Sequence, residues 1–220
     1  MAVYLKKFET QSAYEAAQSS LILPNVSLTV DNNTVHYNPL NPSPTPTYET
    51  VDLGLPSGTL WAKWNVGATS ETEYGNYYQY GKGADDYAVT SGQSAYEGEE
   101  DPLALSADTA AQEWGGQWHM PTYTQLEELT ANTNFTFETD FNGSGVNGGK
   151  FTAQNGNYIF IPAAGYCVDG NVEIDGFYGV IWSSTPNEAN YSIYLYFNGD
   201  SMSLDVNDNR YGYSVRPVIG

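Results

Sequence analysis

YSIYLYFNGDSMSLDV, residues 191–206, is the stretch from which the rest of this chain is read. Asn198-Gly199 between two alternating runs predicts a two-residue type I′ hairpin, because both central positions of that turn take positive φ. The turn sets a register: Phe197 opposite Asp200, Tyr196 opposite Ser201, Leu195 opposite Met202, Tyr194 opposite Ser203, Ile193 opposite Leu204 and Ser192 opposite Asp205. Side chains alternate across a strand. Ile193, Leu195, Phe197, Met202, Leu204 and Val206 therefore share one face, suited to a core. Ser192, Tyr194, Tyr196, Ser201, Ser203 and Asp205 share the other, which is expected to face outward. Tyrosine offers a large, rigid contact with few torsions to freeze, and serine and aspartate add small hydrogen-bonding groups, as in antibody paratopes. Just beyond, Asn207, Asp208, Asn209, Tyr211 and Tyr213 predict a polar-aromatic loop at the rim. The candidate ligand-binding residues are thus Ser192, Tyr194, Tyr196, Ser201, Ser203, Asp205, Asn207, Asp208, Asn209 and Tyr211.

Charge narrows the partners. The 220 residues include 26 acidic and 7 basic side chains, a net charge of −19. Nucleic-acid binding needs stripes of Lys and Arg, so a nucleic-acid partner is not expected. Anionic membranes are disfavoured for the same reason, and no run reaches transmembrane length. The start, MAVYLKKFETQS, lacks the apolar stretch of a secretory signal, so synthesis in the cytoplasm is expected. The acid excess serves solubility through self-repulsion, or it is tuned to a basic or sugar-rich target.

Catalytic and metal chemistry find little support in the residues. Cys167 is the one cysteine, which leaves no intramolecular disulfide and no cysteine zinc site. His36 and His119 lie far apart with no ligand or triad spacing. Asp205, Asn207, Asp208 and Asn209 form an oxygen-rich run, but not the spacing of an EF-hand loop. No cofactor or metal is expected, and these four are assigned to ligand contact or turn formation. Nucleophile-elbow, HExxH and P-loop patterns do not occur. Two rivals to a binding protein stay open. One is a carbohydrate-active enzyme built on two carboxylates among Glu99, Glu100, Asp101, Asp140, Asp169 and Asp175. The other is a structural adhesin or decoration subunit.

Three zones organise the chain. Residues 1–37 form a small docking module, with a short helix over Gln11–Ser19 and strands over Leu21–Val30 and Thr34–Tyr37. NPLNPSPTPT, residues 38–47, is a proline-rich connector of extended backbone. Residues 48–220 read as one α+β domain of short strands, two helices and long loops. Strands are expected at 51–55, 59–65, 77–80, 135–141, 149–152, 158–162, 180–184 and 213–218. One helix is capped by Ser106 and ends near Gly115; the other opens with the capping box Thr122-Tyr123-Thr124-Gln125.

Six segments in order, VDLGLPSGTLWAKWNVGA (51–68), YGNYYQYGK (74–82), WGGQWHMPTYTQLEEL (114–129), GVNGGKFTAQNGNYIFIPAAGY (145–166), IWSSTP (181–186) and GYSVRPV (212–218), carry a family pattern. Together they resemble the bacterial major paralogous domain family, with His119 departing from the family's usual Arg. The resemblance implies a C-type-lectin-like, sulfatase-modifying-factor-like fold. It also implies kinship with the variable proteins of diversity-generating retroelements, whose C-terminal region, about 181–218 here, is rewritten at adenines. Such mutagenesis of AAC or AAT codons cannot produce Lys, Gln, Glu, Met or Trp. From Asn187 to Tyr213 only Glu188 and Met202 fall outside its reach; a lysine-poor polar hairpin avoids most of these residues for reasons of composition alone. The segment YLKKFET…LPNVSL…NNTVHYN is similar to leader segments of phage structural proteins of gut bacteria. The implied protein is a non-catalytic, hypervariable receptor binder on a phage tail or virion surface, or alternatively on a bacterial cell surface. Its implied partners are a host-cell surface protein or glycan and, through residues 1–37, other virion proteins.

Overall fold

The computed structural model describes residues 26–31, 34–39, 48–82, 96, 98 and 100–220. The helix expected over Gln11–Ser19 and most of the proline-rich connector lie outside the described residues. The chain divides into two compact units, Met1–Thr47 and Tyr48–Gly220. In the first, β1 (Val26–Asp31) and β2 (Thr34–Pro39) pair antiparallel, from Val26 opposite Pro39 to Asp31 opposite Thr34. Asn38 and Pro39, read as the start of the connector, instead complete a strand.

The second unit runs through β3 (Thr50–Asp52), β4 (Leu60–Ala62), β5 (Tyr78–Gln79), α1 (Thr109–Trp114), α2 (Tyr123–Asn132), β6 (Thr133–Glu138), β7 (Gly148–Ala153) and β8 (Tyr158–Pro162). It continues through β9 (Tyr166–Val168), β10 (Asn171–Glu173), β11 (Gly179–Glu188), β12 (Tyr191–Phe197), β13 (Met202–Asp208), β14 (Gly212–Tyr213) and β15 (Val218–Ile219). Four small sheets result, in the orders β15-β4-β3, β6-β7-β8, β10-β9-β14-β5 and β11-β12-β13. Their ladders are antiparallel, and an isolated parallel bridge between Ile181 and Ser214 ties the last two sheets together.

This architecture corrects the α+β, C-type-lectin-like expectation: the unit is mostly β. The helices are short, six residues in α1 and ten in α2, and many more of the buried apolar residues sit on strands than on α1 and α2, where Ala110, Leu126 and Leu129 stand alone. The Thr122 capping box forms as expected, with Gln125 N donating to Thr122 Oγ1 and Thr122 N donating to Gln125 Oε1. α1 is capped by Asp108 and not by Ser106. The buried Asp108 carboxylate accepts from Ala111 N at 2.9 Å and from Met120 N at 2.8 Å, so it fixes the next segment as well as the helix. Burial is the main reason that the Asp108 pKa lies above the usual carboxylate range.

The hairpin β12–β13 forms, but with another turn. Phe197 pairs with Met202, Tyr196 with Ser203, Leu195 with Leu204, Tyr194 with Asp205, Ile193 with Val206 and Ser192 with Asn207. The connection is therefore the four residues Asn198 to Ser201. Asn198 Oδ1 accepts from Asp200 N and Ser201 N, each at 2.8 Å, and neither Asn198 nor Gly199 has positive φ. The gain is on the apolar side. The expected register put Phe197 opposite Asp200, whereas this one sets Phe197–Met202, Leu195–Leu204 and Ile193–Val206 directly across from one another. Because the shift is two residues, every side chain keeps its face.

That sheet is covered on both sides. On one, Ile181, Leu195 and Phe197 pack with Leu126 and Leu129 of α2 and with Phe151, Ile159 and Ile161. On the other, Val180 and Trp182 pack with Tyr78, Tyr80, Met120, Tyr213 and Val215. Gly179 is needed where the Phe197 ring seats, since a Cβ there would lie 1.9 Å from Phe197 Cζ. Arg216 stands fully buried between sheets. It donates to Asn65 Oδ1 at 2.8 Å, Ala62 O at 3.0 Å and Phe160 O at 2.8 Å, and burial pushes its pKa down to about 9.

A tyrosine-lined cleft as candidate functional site

The second face of β12 meets β14 and the β9–β11 connection, and between them lies a cleft of about 300 Å³. Its lining is Tyr166, Ile174, Tyr178, Val180, Tyr194, Tyr196, Asn207, Tyr211 and Tyr213. Alternation on β12 delivers Tyr194 and Tyr196, while β14 delivers Tyr213 and the bend just before it delivers Tyr211. Tyr213, nearly fully buried, forms the floor, with its ring 4.2 Å from Trp182 and 4.9 Å from Tyr194. Tyr178 and Tyr196 stand 5.3 Å apart on one side, and Tyr166 and Tyr211 stand 5.6 Å apart on another. Asn207 donates to the Tyr213 hydroxyl, which fixes the amide in the cleft.

A lip of backbone closes one end. Gly165 has a φ of +65°, a region that glycine enters freely, and a Cβ there would come 2.1 Å from Glu173 O. Residues 173–175 therefore lie directly on it. Gly165 N donates to Tyr178 O at 2.7 Å, and Gly176 N donates to Ala163 O at 2.6 Å. Ile174 is held at φ 51°, an unusual conformation for a β-branched residue, costing on the order of 1–2 kcal/mol. Its side chain is presented to solvent together with Val172 and Phe177, the last 70% exposed.

The phenols of Tyr194, Tyr196 and Tyr213 are neutral hydrogen-bonding groups at ordinary pH. Burial pushes the Tyr194 pKa up, and the neighbouring Asp205 carboxylate adds to the rise. Burial likewise raises Tyr196, with a smaller push from Tyr178, and raises Tyr213 furthest. Asp205 is exposed across from Tyr194 on the cleft's own face. Asp208 is engaged elsewhere: Arg210 Nη2 donates to its Oδ2 at 2.6 Å and Nε to its Oδ1 at 3.0 Å, which holds its pKa below the usual carboxylate range.

The ten expected contacts separate into groups. Tyr194, Tyr196, Asn207 and Tyr211 come together in the cleft. Ser203 and Asp205 are exposed beside it, and Ser201 is exposed in the hairpin loop. Ser192 and Asn209 are corrections, being 0% and 1% exposed. Ser192 sits inside the second core, and Asn209 is part of the scaffold, with its Nδ2 donating to Tyr96 O and its N to Asn190 O. Asp208 takes the turn-forming alternative, its carboxylate accepting from Arg210 N and from the Arg210 guanidinium. The expected outward face is in fact half covered, since Tyr194 packs on Trp182 and Tyr213. Tyr166, Ile174, Tyr178 and Val180 were outside the sequence reading. Tyr166, Ile174 and Tyr178 come from segments too short to show a period, while Val180 lies in β11, whose strand was expected but whose place at the cleft was not; chain folding brings all four beside β12.

Among the described residues no group of His, Cys, Asp and Glu is arranged to hold a metal ion, and none of these four types lines the cleft. No curated protein and no solved structure matches the chain. Residues 145–218 match a family described as a domain of unknown function (DUF8237), and every residue lining the cleft falls within that similar stretch.

Proposed function

We propose that the Tyr48–Gly220 unit is a non-catalytic binding domain that takes part of its partner into the tyrosine cleft. The observation that carries this reading is the gathering of six tyrosines around one open volume. Evolving a soluble fold requires no such cluster, and aromatic rings in a preformed pocket are the usual source of binding hot spots. The lining has phenols and one amide to orient a ligand but no carboxylate, imidazole or thiol to act as acid, base or nucleophile. The apolar lip at Val172, Ile174 and Phe177 extends the contact area beside the cleft. The setting we infer is that of a receptor binder shown on a phage particle or a bacterial surface, its hairpin open to diversification and its host partner a surface protein or glycan.

The test is capture of host-surface material by the full chain and by two variants, Tyr196→Ala and Phe177→Ala. Both side chains are at least partly exposed, so folding is retained. Each variant is expected to weaken capture by about tenfold or more, equivalent to the ~1.4 kcal/mol or more of a hot-spot residue. Capture unchanged in both would move the site away from the cleft.

A further inference from the structure

The shape and sign of the cleft point to the chemistry of the group it holds. Its rings are set at several inclinations, 36° between Tyr178 and Tyr196, 62° between Tyr166 and Tyr211, and 51° between Tyr194 and Tyr213. Such a surround fits a compact, rounded group. A sugar ring lies on one flat aromatic face and needs several in-plane polar partners, whereas the polar groups of this lining are phenol hydroxyls at the ring edges and the Asn207 amide, which already donates to Tyr213. Aromatic faces carry negative quadrupole density and attract a cation within about 6 Å of the ring centre.

The surrounding charge has the same preference. Asp205 stands exposed opposite Tyr194 on the cleft's face, with no Lys or Arg in ion-pair contact among the described residues. Arg210, next to Tyr211 in sequence, is already occupied by the Asp208 carboxylate. The whole chain adds a net charge of −19, which raises the local concentration of cations. Anions are correspondingly disfavoured.

We propose that the cleft binds an alkylammonium group, a trimethylammonium or its close relatives, carried on a larger partner whose apolar part rests on the Ile174–Phe177 lip. This inference rests on the binding-domain reading above. About 300 Å³ accommodates such a headgroup with the first atoms of its carrier.

Calorimetric titration of the full chain with tetramethylammonium, choline, phosphocholine and a trimethyllysine peptide tests it, with choline's uncharged tert-butyl isostere as control. Saturable binding of the cations is expected, with the isostere weaker by about tenfold. Tyr196→Ala should weaken choline by about tenfold, and the exposed Asp205→Asn by about threefold at low salt. Phosphocholine as the tightest ligand would point to a glycan or lipid headgroup as the source, and the peptide as the tightest to a methylated protein; either supports the proposal. Equal affinity for the isostere, no cation binding, or choline binding unaltered in both variants overturns it. Capture of host material that depends on Tyr196 but ignores excess choline overturns the cation assignment alone. Capture indifferent to Tyr196, Phe177 and choline overturns the binding-domain reading as well.

Discussion

Tyr213 belongs to the core and to the cleft at once. Its ring lies between Trp182 and Tyr194, and its hydroxyl takes the Asn207 amide. Tyr213→Phe keeps the ring and removes that partner. The expected cost is about 1 kcal/mol in urea unfolding, from an amide left short of a hydrogen bond in a half-covered site. Tyr213→Ala should cost about 3 kcal/mol or more, because a cavity opens beside Trp182. If the two variants were equally stable, Tyr213 would not be the floor of the site. Tyr194 is intermediate, and its ring contact with Trp182 means that truncating it disturbs packing as well as recognition. Tyr196, half-buried, separates the two effects better. At this scale the sequence was informative about residue type and less so about depth. Alternation placed Tyr194 and Tyr196 on one face, but the burial of Ser192 on the same face depends on Tyr80 and its neighbours, more than a hundred residues earlier.

Elements were legible where local chemistry dictates them and not where packing does. The Thr122 capping box and the strand at Tyr158–Pro162 follow from short-range pattern. The hairpin followed it only in part. Asn-Gly favours a two-residue turn, yet pairing Phe197 with Met202 in place of Asp200 favours the longer loop, and the apolar gain decides. β9 and β10, three residues each, are too brief to show a period and were not foreseen. Among the described residues after Thr47 the two expected α-helices form, but the weight given to them was not legible, since far more of the buried apolar residues belong to strands than to helices. If the β12–β13 hairpin belongs to a diversified region, its exposed and enclosed positions should differ. Sequencing many isolates of the locus should find substitutions of the adenine-directed kind at the exposed Ser203 and Asp205, and few at Leu195, Phe197 and Ser192, which are fully enclosed. An even spread over these positions would remove diversification from the reading.

Across the whole molecule, the tyrosines and the acid excess set the response to pH. Burial raises the pKa values of Tyr77, Tyr78, Tyr80, Tyr194 and Tyr213 above the ordinary phenol value. The folded chain then holds phenolic protons that the unfolded chain gives up from about pH 10. Their stabilising contribution is complete below that pH and declines as pH rises toward the folded values. Arg216 acts in the opposite direction, because burial lowers its pKa and the folded chain releases its proton first. One guanidinium opposes five phenols, and each pKa unit is worth about 1.4 kcal/mol. The thermal midpoint should therefore fall steeply between about pH 10 and 12; a level or rising midpoint would contradict the burial of these rings.

Among the described residues β13 has β12 as its sole neighbour in the sheet. On its outer edge Val206 N donates to Asp205 Oδ1 and Asp208 N to Asn207 Oδ1, and the groups that remain there are a template on which a second copy can add its own strand. Asp205 and the surrounding negative charge keep copies apart by mutual repulsion. Concentrated salt shortens that repulsion to a few ångströms. The ribbon that builds the tyrosine pocket is then also the place where fibres would begin.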